Sequence, residues 1–263
     1  MRAFEVVTLL CLVCGVVTVS SNSLWRPWTK LILTHHWPQT FCTMEHCKQH
    51  FKYWTLHGLW PDSGIACNRT WKLNMTEIQD LIPEMDKYWP NLLHPTKDDF
   101  WKYEWCKHGT CAATAESLNS QHKYFSKALE LYKMFDLTGT LLKAGIVPAD
   151  KNYKLEDIEG AIVQAYGAKP KIQCHHDQSN KGEQHQQLGQ IEICINRDFK
   201  PINCEKSLED LWGEVNEIVP LQFNKPSGFS VCDHEEPVQY PPVKEKFEVS
   251  TNTSKFLLSG QRC

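Results

Sequence analysis

Two short stretches hold residues able to move protons. In FWKYEWCKHGTC, residues 100–111, Glu104, Lys107 and His108 fall within about one helical turn. Read as a helix, positions three and four apart share a face, so a carboxylate, an ammonium and an imidazole would converge. That set suits proton transfer and the stabilisation of developing negative charge. A solvated, salt-bridged turn needs the same spacing, and spacing alone favours that plainer reading. In YWTLHGLWPD, residues 53–62, His57 stands late in a strand pattern among apolar and aromatic neighbours. A histidine buried there must be either hydrogen-bonded core or functional. The set His57, Glu104 and His108 would also fit a two-histidine, one-carboxylate zinc site, a rival that activity in EDTA would separate.

These side chains need elements to hold them. Residues 28–37 (WTKLILTHHW) predict a core strand with His35 and His36 as structural residues at its end. Pro38 is expected to stop it, with a loop in which Cys42 and Cys47 can close on each other. Tyr53 to Leu56 read as the strand leading to His57. Gly58 permits close backbone approach, and Pro61 and Asp62 start a turn. A helix is expected over 76–88, capped by Asn74 or Thr76 and interrupted by Pro83. Asp98 and Asp99 then cap and open the helix carrying Phe100 to His108, with Gly109 as its predicted end. Amphipathic helices are expected over 117–142 and 155–166. Residues 170–175 and 190–196 alternate as paired strands across a polar loop, 177–187, whose histidines read as solvated rather than metal-binding. Helices cluster early and the strands lie in separate pieces. The expected fold class is therefore α+β, a mainly antiparallel sheet packed with helices.

The 263 residues carry a formal charge of −3, so no basic footprint marks a tight nucleic-acid binder, although a transient nucleic-acid substrate stays open. The 12 histidines would turn that balance positive in acid. Arg2, an apolar run over 6–19 and Ser20, Ser21 and Ser23 read as a cleaved signal peptide, residues 1–23. A domain over 24–242 and a polar, mobile tail over 243–263, its polar character starting at Pro241, would follow. No later stretch would span a membrane. Cys11 and Cys14 leave with the leader, so ten of the 12 cysteines remain as a disulfide framework. Asn68, Asn74 and Asn252 each open an Asn-x-Ser/Thr acceptor site.

Together, WTLHGLWPD and FWKYEWCKHGTC resemble the paired active-site signatures of the ribonuclease T2 family. LILTHHWPQTFC, PKIQC, IEIC and VCDHEEPVQYPP resemble animal members in order and spacing, so the likeness runs from Trp28 to Pro242. It implies catalytic roles for His57, Glu104 and His108, with Lys107 and Tyr103 supporting the phosphate. It implies base-binding roles for Trp60, Asp62 and Phe100, and bridges Cys42–Cys47, Cys67–Cys111, Cys174–Cys232 and Cys194–Cys204. Tyr103 stands where many members have histidine, and Cys106 and Cys263 are left over. Those two could pair, cross-link two chains or stay free. The implied activity is endonucleolytic cleavage of single-stranded RNA with low base specificity. The ribose 2′-hydroxyl attacks and a 2′,3′-cyclic phosphate is left, with no metal or other cofactor, an acid optimum and no action on DNA. The implied setting is the secretory pathway or lysosome, as a monomer or a dimer linked through Cys106 or Cys263. The rival function is a secreted signalling or binding protein that keeps the fold.

Overall fold

The structure, a computed structural model, describes residues 27–45, 47, 51–177, 185–205 and 228–244. The expected leader, Asn252, Cys263 and the tail beyond Lys244 lie outside them.

The sheet is organised around β1, Lys30–His36, in which Leu33 to His36 are all buried, so both faces are covered there. It lies antiparallel between β2, Thr55–Pro61, and β5, His185–Asn196. Strand β4, Lys171–Asp177, follows on β5 and β7, Ser230–Val231, follows on β4, giving the order β2-β1-β5-β4-β7. Short strands close the rim. β3, Asn152–Tyr153, pairs with β8, Val238–Gln239, and β6, Pro201–Ile202, pairs with β5. Among the described pairings only β5 with β8 is parallel. The fold class is α+β, as expected.

The helices bury aromatic stripes against this sheet. In α4, Gln121–Met134, the positions Tyr124, Phe125, Ala128 and Leu131 face the core at helical spacing. Ser120 caps it by accepting from Lys123 N, and Tyr124 Oη donates 2.9 Å to Leu59 O, which fixes the helix on β2. Asp136 ends that helix's continuation and caps the next, α5, Leu137–Lys143. The expected single helix over 117–142 is thus two. Helix α6, Leu155–Tyr166, ends as the sequence suggests, at Gly167 with φ +74°. Trp54, Trp101 and Trp105 are all buried.

Several expectations are corrected. The segment after Pro38 is a helix, α1, Pro38–Glu45, not a loop. Proline is tolerated in a first turn, where its missing N–H has no partner to lose. The stretch over 76–88 is a 3₁₀ turn, Met75–Ile78, capped by Asn74, followed by α2, Ile82–Tyr88, with Pro83 in its first turn. Helix α3, Asp99–Glu104, does not stop at Gly109. It widens into a π turn, Trp105–Gly109, and runs on through Thr110–Ala112. Gly109 is needed for packing: a Cβ there would meet the Trp105 indole. Residues 241–244 are anchored, not a mobile start of the tail. Pro241 O accepts from Trp37 Nε1 at 3.0 Å and Lys244 N donates to Gln39 at 2.9 Å.

All four expected bridges are present, Cys42–Cys47, Cys67–Cys111, Cys174–Cys232 and Cys194–Cys204. Cys106 is itself disulfide-bonded, which closes the free-thiol alternative. Among the described residues no helix is long and apolar enough to cross a membrane.

Candidate active site

His57 owes its position to an irregularity in β2. In the β1–β2 ladder His35 faces Leu56 and Thr34 faces Gly58, so His57 is an extra residue with no partner. Such a bulge redirects a side chain and leaves its backbone free of the ladder. The His57 carbonyl instead accepts from Trp89 Nε1 at 2.7 Å. Its Nδ1 lies 3.0 Å from Gln190 Oε1 on β5. The ring is walled by His36 at 3.8 Å, the Trp60 indole edge-on at 4.8 Å and Phe100 at 6.1 Å, centroid to centroid.

Trp60 joins the two halves of the site. Its Nε1 donates 2.8 Å to Glu104 Oε2, the last residue of α3. Its ring stacks on His108, centroids 5.1 Å apart and planes 26° from parallel. Gly58 allows this, because a Cβ there would fall on Trp60 Nε1 and Glu104 Oε2. The π turn presents Lys107 and His108, and the N–H of Thr110 reaches back to Trp105 O across it. Lys107 Nζ lies 5.1 Å over the Tyr103 ring. The loop after β2 is bound to this turn twice, by Ala66 N donating 2.9 Å to Lys107 O and by the Cys67–Cys111 bridge.

Burial sets the electrostatics. It is the main cause that lowers His57 to about 4; Gln190 opposes it, and the Lys107 charge adds to it. His108 is held well below 6.5 by burial, then by Lys107 and His57, and its Nδ1 has no hydrogen-bond partner among the described residues. Glu104 is pushed up to about 8 by burial, against the Trp60 hydrogen bond and Lys107. His36 is likewise held well below 6.5, by burial and then by His57. Around neutrality the cluster is a set of uncharged acids and bases beside one ammonium. An incoming phosphate would favour protonation of the imidazoles.

The structure thus brings together His57, Trp60, Phe100, Tyr103, Glu104, Lys107 and His108. Asp62 stands apart from the imidazoles: its two oxygens accept from Thr29 N at 2.8 Å and Thr29 Oγ1 at 2.6 Å, pinning the start of β1. Among the described residues no group of three or more His, Cys, Asp or Glu is arranged to hold a metal. Sequence reasoning set His36 aside as structural, yet its ring lies against His57. It passed over Gln190, which reads as one polar position in an alternating strand. The available signal was that β5 carries polar residues in the middle of a sheet. Asn68 and Asn74 are exposed, and each Oδ1 accepts from the threonine hydroxyl of its own acceptor site, at 2.8 and 2.7 Å.

The sequence profile of the ribonuclease T2 family matches residues 28–204. Ribonuclease T2 of Danio rerio is 59% identical over 231 residues, 87% of this chain and 95% of that protein. The human ribonuclease T2 is 42% identical over 242 residues, 90% of this chain and 92% of its own length. The crystal structure of human RNase T2 superposes with a TM-score of 0.67, over 82% of this chain and all of the other. RNase NT, solved in complex with 5′-AMP, superposes with a TM-score of 0.64 at 28% identity, over 82% of this chain and all of that one.

Proposed function

The chain belongs to the ribonuclease T2 family and is an RNA-cleaving endoribonuclease, and from that premise we propose how this site works. The observation that carries the proposal is that His57 and His108, 51 positions apart, both lie against the Trp60 indole, at 4.8 and 5.1 Å. RNA brings its own nucleophile, the ribose 2′-hydroxyl. His108 takes its proton, the 2′-oxygen attacks phosphorus, and His57 gives a proton to the departing 5′-oxygen. A 2′,3′-cyclic phosphate and a free 5′-hydroxyl result.

The environments of the two imidazoles support this division. His57 has a carbonyl at Nδ1 that favours its protonated form, as the acid requires. His108 has no such partner and is neutral, as the base requires. Lys107 places its charge on the non-bridging phosphate oxygens. The Glu104 carboxyl, protonated below about 8, accepts from Trp60 on one oxygen and donates from the other to the crowded phosphorus centre. Trp60 and Phe100 flank the His57 ring and offer aromatic surface to bases, while Asp62 acts through the β1 entry it anchors. Tyr103 under Lys107 replaces a charged neighbour with a neutral ring. DNA, lacking the 2′-hydroxyl, is not cut.

Both imidazoles are held neutral by burial, and the reaction needs one of them protonated. The active population therefore grows as pH falls below neutrality, and the enzyme works best in acid. The four bridges among the described residues, the further bond of Cys106 and two exposed Asn-x-Thr acceptor sites fit a lumenal or secreted life. The test is digestion of single-stranded RNA across about pH 4 to 8 with EDTA present, scoring cyclic-phosphate ends. A maximum above neutrality, loss of activity in EDTA, or ends never cyclic would each refute the corresponding part.

A further inference from the structure

The Glu104 carboxyl is on Trp60, so the orientation of the His57 ring falls to another group. Gln190 and Glu192 stand two apart on β5 and project from one face of the sheet. Opposite them in β1 are His36 and Thr34, and in β4 Gln173 and Lys171. The patch is polar yet buried, with Gln190 4% and Glu192 6% exposed. Buried polar groups are nearly always bonded, and apart from the Thr34 hydroxyl, which has no partner among the described residues, the side chains here are bonded in a directed line. Lys171 Nζ lies 3.9 Å from Glu192 Oε2. Gln190 Nε2 donates 3.2 Å to Glu192 Oε1 and also donates to Gln173 Oε1. Gln190 Oε1 is then left facing His57 Nδ1 at 3.0 Å.

The chemistry of the partners decides which end of the Gln190 amide faces His57. A carboxylate beside an ammonium only accepts, so the amide nitrogen of Gln190 must face Glu192. Its carbonyl oxygen must therefore face His57, and a carbonyl also only accepts. Nδ1 of His57 must carry hydrogen. In the neutral ring the lone pair is then on Nε2, and in the charged ring the transferable proton is on Nε2.

We propose that Gln190 is a positioning residue for the cleavage reaction, holding His57 as the Nδ1–H tautomer so that Nε2 alone exchanges a proton with RNA. Glu192, held by Lys171, keeps the amide from turning over. His36, opposite Gln190 in register and tilted 32° against His57 at 3.8 Å, closes the other side of the ring. Gln190 also hydrogen-bonds the His36 side chain, and its carbonyl oxygen has the two lone pairs needed to accept from both imidazoles. Groups that hold a metal-ligating histidine in this way are typically worth about 10–100-fold in affinity or activity, and the same order is expected here.

This inference rests on the reading of His57 as the catalytic acid, so the experiment separates the two. Nitrogen-15 NMR of the histidine rings in the intact wild-type protein at neutral pH reports the His57 tautomer directly. The expected result is Nδ1–H; an Nε2–H ring or an even mixture overturns the inference without any variant. Gln190→Met keeps the volume and removes the acceptor. It is expected to mix the tautomers and lower kcat about 10–100-fold while KM stays within about twofold. The pair Gln190→Glu with Glu192→Gln returns an acceptor to Nδ1 and is expected to restore both the tautomer and most of kcat. A folded Gln190→Met variant with wild-type kcat, or with His57 still wholly Nδ1–H, overturns the inference. His57→Gln serves as the control. If it cleaves RNA at the wild-type rate, the catalytic reading falls and this inference with it. If it is inactive while the wild-type ring is Nε2–H, the inference alone falls.

Discussion

His35→Leu should free the fold from part of its acid sensitivity without touching the cleft. His35 is fully buried, its ring 5.5 Å from that of Tyr132, and neither ring nitrogen makes a hydrogen bond of ordinary geometry among the described residues. Burial lowers its pKa from 6.5 to about 3, with the Ile191 backbone only partly opposing. The sign follows from the shift. An imidazole depressed in the fold adds stability above its unfolded value near 6.5, and that stability drains away as pH falls toward the folded value. Between pH 7 and pH 4.5 the unfolded ring takes up its proton and the folded ring does not. This costs the native state about 2.5 kcal/mol, at about 1.36 kcal/mol per unit. Leucine has similar volume and no proton to gain. At pH 7 the variant should equal or exceed the wild type by up to about 2 kcal/mol, since two buried unpaired nitrogens are removed. Urea unfolding at both pH values, disulfides intact, measures the difference. The gap should widen by about 2.5 kcal/mol in acid, or roughly 5–10 °C in Tm for a chain of this size. A gap of constant size would refute the argument, because it would mean that His35 is protonated in the fold or hydrated.

Three further outcomes are expected. Glu104→Gln should keep kcat within about tenfold in acid while Glu104→Ala loses more, because the carboxyl is neutral below about 8. Its raised pKa contributes stability present below 4.5 and lost as pH rises toward about 8, so Glu104→Gln should flatten urea stability over that window. Gly58→Ala should break the Trp60–Glu104 hydrogen bond, lowering stability by about 1–3 kcal/mol in urea and kcat by at least about tenfold, with unchanged kcat the refuting result. Lys107→Met should lower kcat about 10²–10³-fold in initial-rate assays with Lys107→Arg recovering part of it, and a variant at full rate would remove Lys107 from the mechanism.

Residue type and order made the two halves of the site legible. A histidine before a glycine in an aromatic strand, and a carboxylate, ammonium and imidazole in one turn, made proton transfer one reading among plainer ones, and the resemblance of the two stretches to the paired family signatures decided for it. The α+β class followed from where helical and alternating patterns fell. What stayed hidden depends on contacts distant in sequence. Gly109 looks like a helix end because glycine ends helices, yet its reason is the Trp105 ring. No local pattern marks the π turn or the bulge at His57, since both are settled by what packs around them. Gln190 and Glu192 look like the solvated face of a strand, and only the strands on either side put them inside. His35 and His36 are adjacent and read alike, but strand alternation turns one toward Tyr132 and the other toward His57.

The unpaired residue at position 57 bears on how this chain can be altered. Removing it would give β1 and β2 an unbroken ladder, the arrangement a designer would draw. The same deletion would leave the pairs on either side as they are, Leu56 with His35 and Gly58 with Thr34, but it would take away the His57 imidazole itself. A smoother sheet and a working enzyme are alternatives in this stretch, so shortening it by a single codon should leave a folded protein blind to RNA.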